Sequence, residues 1–150
     1  MVIVEDRIQI DRPPETVFGW FDRFADDYVS WHNRDHVTAR WVKGKNFEEG
    51  SILYSKEYLG GKLEKMSAKV TKKIENKSIA YRFLFPMSIV CSGGSFNVEP
   101  SNGGSAFTAK LYFRFGKLLS KIYPSRLDAI RKHVKEEGEN LKKLLENKSC

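Results

Sequence analysis

The chain is expected to fold as an α+β protein: a curved antiparallel sheet of about seven strands wrapped around a long C-terminal helix, with two short helices after the first strand. Three features carry that expectation. Residues 125–146 place Leu127, Ile130, Val134, Leu141 and Leu144 at spacings of three and four, the apolar stripe of an amphipathic helix. Between His36 and Phe115, six strand-like runs follow one another through short turns, and strands joined that way are largely antiparallel. The amino terminus alternates like a strand and then switches to a proline helix start. A sheet with one apolar face needs a cover, and the last helix supplies it.

Val4, Ile8 and Ile10 alternate through the first strand, Val2 to Asp11. Arg12-Pro13-Pro14-Glu15 opens a helix, because proline is tolerated in the first turn and an early glutamate complements the helix dipole. Val17, Phe18, Phe21, Phe24, Tyr28 and Trp31 then recur at helical spacing, with a break near Asp22 or Asp26 dividing one or two short helices. Val37, Ala39 and Trp41 lead to a loop from Gly44 to Gly50. In the strand Ser51 to Leu59, Glu57 shares a face with Leu53, Ser55 and Leu59, while Tyr54, Lys56 and Tyr58 share the other. Gly60-Gly61 is a hairpin signal, and Met66, Ala68, Val70 and Ile74 are in phase on the return strand.

Ile79, Tyr81, Phe83 and Phe85 form the next strand, which Pro86 ends. Ile89 to Glu99 carries Phe96 and Val98, with a bulge at Gly93-Gly94, and a loop spans Pro100 to Gly104. Phe107, Ala109, Leu111, Phe113 and Phe115 line one face of the last strand.

With 150 residues, 41% of them apolar, the chain is large enough for one domain, residues 1–150, with a real core. No apolar run approaches the roughly 20 residues of a membrane span, and the start lacks the basic and long apolar parts of a signal peptide, so a cytoplasmic location is expected. Cys91 sits in an apolar run and Cys150 is the last residue, a poor arrangement for a structural disulfide. The net charge of +7 raises the question of nucleic acid, but no nucleic-acid motif accompanies it. Lysines spread over one hairpin, and lysines interspersed with glutamates on the last helix, read as solvated faces.

One residue breaks the apolar stripe of the last helix. Position 137 belongs to it and is Glu137, with His133 one turn earlier. A buried carboxylate needs a cation, a metal or a raised pKa; otherwise Glu137 opens to solvent at the stripe edge or pairs with a lysine. A sheet curved around a helix leaves a cavity suited to an apolar ligand, and Phe83, Phe96, Phe107, Leu111 and Phe113 are expected to line it.

The start IQIDRPPETVFGWF, the meander and the C-terminal helix resemble the START-like helix-grip (SRPBCC) superfamily, which includes polyketide cyclases, Bet v 1-like allergens and lipid-transfer domains. Such a fold by itself implies no single function. The segment Tyr28-Val29-Ser30-Trp31-His32-Asn33-Arg34-Asp35-His36 further resembles the Trp-rich segment of the diacetylphloroglucinol and phloretin hydrolases, which cleave an acyl–phenol carbon–carbon bond with a divalent metal. That resemblance implies four ligands: His36, Glu57, and His133 with Glu137. The extra segments of those enzymes have no counterpart here. Imidazole and carboxylate suit zinc, and also iron or manganese, and two ligands a helical turn apart lower the entropy of assembling a site. The alternatives are a strand-start histidine at His36 and a lysine-paired rim residue at Glu57; His32 is an alternate ligand, a supporting group or exposed.

The expected function is a metal-dependent hydrolase or lyase, zinc first among the ions, acting on a small aromatic or polyketide-like carbonyl compound, with Glu57 and Glu137 as catalytic carboxylates. The competing expectation is a carrier that binds a lipid or polyketide-like apolar ligand without turnover.

Overall fold

The structure, a computed structural model, describes residues 1–59, 61–114, 121 and 124–147. Gly60 of the expected hairpin, Phe115 of the last strand and Cys150 lie outside these residues. In chain order come β1 (Val2–Ile10), α1 (Pro14–Gly19), a 3-10 turn (Trp20–Arg23), α2 (Phe24–Trp31), β2 (His36–Lys43), β3 (Ile52–Leu59), β4 (Lys62–Ile74), β5 (Ser78–Phe83), a 3-10 turn (Met87–Ile89), β6 (Cys91–Ser101), β7 (Gly104–Phe113) and α3 (Pro124–Glu146). The seven strands form one antiparallel sheet in the order β1-β7-β6-β5-β4-β3-β2. This is the α+β architecture expected from the sequence.

The helix α3 packs chiefly on β1 and also touches β3, β7 and α2. Gly138 lets it come close: a Cβ there would stand 3.1 Å from Asp6 Oδ2 and 3.4 Å from Ile8 Cγ2. Leu127, Ile130, Val134 and Leu141 are buried as the stripe requires. Its last buried member is Leu145, with Leu144 only partly covered, because a step of four from Leu141 keeps the side chain on the core face of a 3.6-residue helix.

Aromatic residues of α1, α2 and the turn between them close one side of the sheet. Trp20, Phe21, Phe24, Tyr28 and Trp31 are all buried, and Phe21 and Phe24 reach Phe47 and Phe96 at centroid distances of 4.9 to 6.1 Å. Phe47, in the loop after β2, went unnoticed in the sequence because nothing periodic surrounds it.

Three strand limits differ from expectation, the first being that β5 ends at Phe83 and leaves Phe85 exposed ahead of Pro86. Ile89 stands exposed in a 3-10 turn and β6 begins at Cys91, with the register shift between Cys91 and Gly93 where the glycine pair suggested a bulge. Pro100 and Ser101 remain in β6, paired with Ser105 and Gly104. Pairing with β5 ends at Asn97, so the missing N–H of Pro100 faces no neighbouring strand.

Candidate metal and ligand site

His36 is the first residue of β2, and its backbone N–H donates to the His32 carbonyl at 2.8 Å in the turn that leaves α2. Glu57 is its cross-strand partner on β3. His133 and Glu137 reach the same point from α3. His36 Nε2 lies 3.1 Å from Glu57 Oε2 and 3.0 Å from Glu137 Oε2; His133 Nε2 lies 3.1 and 3.4 Å from the same two oxygens. The two Nε2 atoms are 3.4 Å apart. Thus all four residues singled out in the sequence converge, with one donor atom of each within 4.8 Å of every other.

Their spacing can be tested against an ion. Bonds of about 2.0 to 2.1 Å give a tetrahedral edge of about 3.3 Å, and a cis edge of an octahedron of about 3.0 Å. The five measured edges run from 3.0 to 3.4 Å. This buried His/Glu group could hold a small divalent metal ion, and its spacing suits either geometry.

The outer nitrogens of both imidazoles are already engaged. His36 Nδ1–H donates to the Tyr28 carbonyl at 2.7 Å, and His133 Nδ1–H donates to Asp35 Oδ2 at 2.9 Å. Such contacts turn each Nε2 toward the centre and fix the tautomer that a metal needs. The Tyr28 hydroxyl donates to Glu57 Oε2 at 2.9 Å while its ring stacks on His36 at 3.9 Å. Trp31 Nε1–H donates to the Glu137 carbonyl at 2.9 Å, holding α2 against α3.

His32 is buried but stands outside the four. Its ring stacks on His133, and its Nε2 lies 3.3 Å from Glu136 Oε1, which Arg34 also contacts at 2.6 Å. By sequence periodicity Tyr28 and Trp31 are packing residues, and nothing in that periodicity marks Asp35. The available signal was position: Asp35 directly precedes a candidate ligand.

Electrostatics follow from the crowding. Burial alone would push the imidazoles toward neutrality, but hydrogen bonds and charge from Glu137 and Glu57 outweigh it, raising His36 to about 9 and His133 to about 12. Burial would likewise raise both carboxyls; the two imidazoles overcome it, and Glu57 and Glu137 are held below the usual glutamate range. Without a metal, the four groups form a buried ion cluster with both histidines protonated near neutral pH.

Glu57, His133 and Glu137 line a cavity of about 110 Å³ between sheet and helix, with His36 buried behind them. Phe83, Phe96, Leu111 and Phe113 line it as expected from the sequence, and Phe47, Met66 and Tyr81 join them. Phe107 is not among its walls: it is fully buried behind them, stacked on Phe96 and tilted against Phe21.

A seven-stranded antiparallel sheet packed against one long helix around a largely apolar cavity defines the helix-grip class of fold. The chain belongs to the polyketide cyclase / dehydrase and lipid transport family, within the Bet v 1-like SRPBCC superfamily, whose profile matches residues 1–146. No curated protein matches it. Among solved structures, the KanY protein has a TM-score of 0.76 at 18% identity, with 97% of each chain covered. Ara h 8.0201 has a TM-score of 0.69 at 13% identity, covering 97% of this chain and 98% of its own. Norcoclaurine synthase from Thalictrum flavum, solved with dopamine and hydroxybenzaldehyde, has a TM-score of 0.70 at 10% identity, covering 99% and 88%. At these identities the likeness is one of fold. No helix among the described residues is long and apolar enough to cross a membrane.

Proposed function

We propose that this protein is a metal-dependent hydrolase or lyase acting on a small aromatic or polyketide-like carbonyl compound, with His36, Glu57, His133 and Glu137 as ligands of a divalent ion, zinc first among candidates. The observation that carries the reading is the convergence of two carboxylates and two imidazoles, the outer nitrogens of the imidazoles already committed, beside a largely apolar cavity. When bound, such an ion polarises a carbonyl oxygen and lowers the pKa of a bound water.

The protein's own groups divide the remaining work. Phe83, Phe96, Leu111 and Phe113 hold a ring and exclude bulk water. Glu57 is tied down by the Tyr28 hydroxyl as well as by both imidazoles, whereas among the described residues the Glu137 carboxylate has only the imidazoles. Glu137 is therefore the carboxylate that would let go of the ion and serve as general base. It takes a proton from water as the water oxygen bonds to the acyl carbon, and returns that proton to the ring carbon as the carbon–carbon bond breaks. One water is consumed, giving a carboxylic acid and an arene.

Two measurements on the purified, untagged protein test the reading. Elemental analysis after mild dialysis is expected to find about one divalent ion per chain, and a panel of acyl-phenols and β-diketones is expected to include one that is cleaved and spared by chelator. A metal content below about a tenth per chain, even after reconstitution with zinc, manganese or iron, removes the metal site. Tight, chelator-insensitive ligand binding with no product across the panel leaves a carrier instead.

A further inference from the structure

Tyr81 lies at the middle of β5 on the face that points into the protein, between the buried Ile79 and Phe83. Its ring packs at 5.6 Å from Phe83 and 5.5 Å from Phe96. Directly across the pairing of β5 with β6 is Gly94, and a Cβ there would fall 2.6 Å from the Tyr81 hydroxyl oxygen and 2.9 Å from Cζ. The glycine thus makes room for the phenol to lie along the cavity floor.

Tyr81 lines the cavity and is the part-open member of an otherwise buried triplet on β5, so its remaining accessible surface belongs to that cavity. Its hydroxyl makes no hydrogen bond among the described residues. Two neighbouring polar groups are committed elsewhere, the Tyr28 hydroxyl to Glu57 and the Cys91 thiol to the Gly93 carbonyl at 3.6 Å. No buried side-chain polar atom among the described residues lacks a partner, so the unpaired Tyr81 hydroxyl is open to the cavity and free to bond whatever occupies it.

We infer that Tyr81 is a specificity-determining residue whose hydroxyl recognises an oxygen substituent on the ligand, at a point of the cavity distinct from the His36/Glu57/His133/Glu137 cluster. The inference rests on the preceding reading only for the ligand's place in this cavity. Burial, with Cys91, Glu137 and Glu57 adding to it, holds the phenol well above its usual pKa, so the group stays a neutral donor and acceptor able to pair with a hydroxyl or a carbonyl. The free volume of about 110 Å³ is below the roughly 150 Å³ of a cavity that accommodates benzene, so the occupant is no larger than a single ring, and ring substituents require the side chains around it to give way. The class is therefore a single-ring compound bearing two polar groups, one toward the cluster and one toward Tyr81. A site that leaves a polar group unpaired discriminates against the ligand lacking its partner more strongly than an apolar wall discriminates by size.

The test compares matched acetophenones carrying a ring hydroxyl or a methyl group at the 3 or the 4 position, by calorimetry, with and without chelator. Wild-type protein is expected to prefer one hydroxyl compound over its methyl isostere by about tenfold or more. Tyr81→Phe, with its thermal transition unchanged, is expected to erase that preference by weakening the hydroxyl compound and sparing the methyl one. Equal binding of each hydroxyl and methyl pair by the wild type overturns the inference without any variant. So does a Tyr81→Phe protein that loses affinity for both members alike. A preference that depends on Tyr81 while no compound is cleaved supports this inference and removes only the enzymatic reading. Chelator-sensitive cleavage with no dependence on Tyr81 does the reverse.

Discussion

Nε2 of His36 and Nε2 of His133 face each other at 3.4 Å, across 97 residues of sequence. Two imidazolium N–H groups cannot point at one another at that distance without a shared acceptor, and Glu57 Oε2 and Glu137 Oε2 are placed to serve both. With both histidines protonated and both glutamates ionised, the cluster is neutral. Removing two protons and adding one divalent ion leaves it neutral again. The same side chains therefore balance in charge in either state.

That exchange predicts a proton count. Because His36 titrates near 9 and His133 near 12 without metal, loading with zinc at pH 7 is expected to release about two protons per ion. Calorimetry in buffers of different ionisation enthalpy measures the number. A value near zero would show that the imidazoles are not the ligands.

Metal-free protein should show a matching pH profile of stability. Imidazoles raised in the folded state contribute stability that is complete below their ordinary value of 6.5 and is lost as pH climbs through about 9 at His36. Depressed carboxylates contribute stability that is present above 4.5 and fades in acid. The melting temperature in chelator is expected to be highest between pH 4.5 and 6.5 and to fall toward pH 9. A melting temperature that rises over that alkaline interval contradicts the ion-cluster description.

His133→Ala should abolish metal binding while leaving a cooperatively folded protein, because Leu127, Ile130 and Val134 carry the helix packing. Asp35→Asn should keep the fold and weaken metal affinity by about 10- to 100-fold, through loss of the contact that orients His133. Titration calorimetry separates the two. Unaltered affinity in Asp35→Asn would mean that His133 is oriented by its other contacts, the stacking on His32 among them.

Leu141 is completely buried on α3, so Leu141→Ala should cost about 2 to 5 kcal/mol in denaturant unfolding. Leu144→Ala should cost clearly less, since Leu144 is only partly covered. Equal losses would place the helix one position further round.

Sequence alone determined the element order, the antiparallel sheet and its helical cover, because periods of two and 3.6 are local properties of the chain. It also exposed Glu137, since a carboxylate in phase with Leu127, Ile130 and Val134 is an anomaly visible without coordinates. Bringing His36 and Glu57 to that carboxylate depended on the resemblance to known hydrolases, as each residue alone is unremarkable. Only the tertiary structure decided what supports the cluster and what faces the cavity. Asp35, Tyr28 and Trp31 reach it through contacts across 29 to 106 residues, and no periodicity records such pairings. Phe107 and Tyr81 were both in phase with inward faces, yet the first packs behind the cavity wall and the second lies on its floor. Alternation states which side of the sheet a residue takes. How deep it lies there is set by sheet curvature and by neighbours such as Gly94 on another strand.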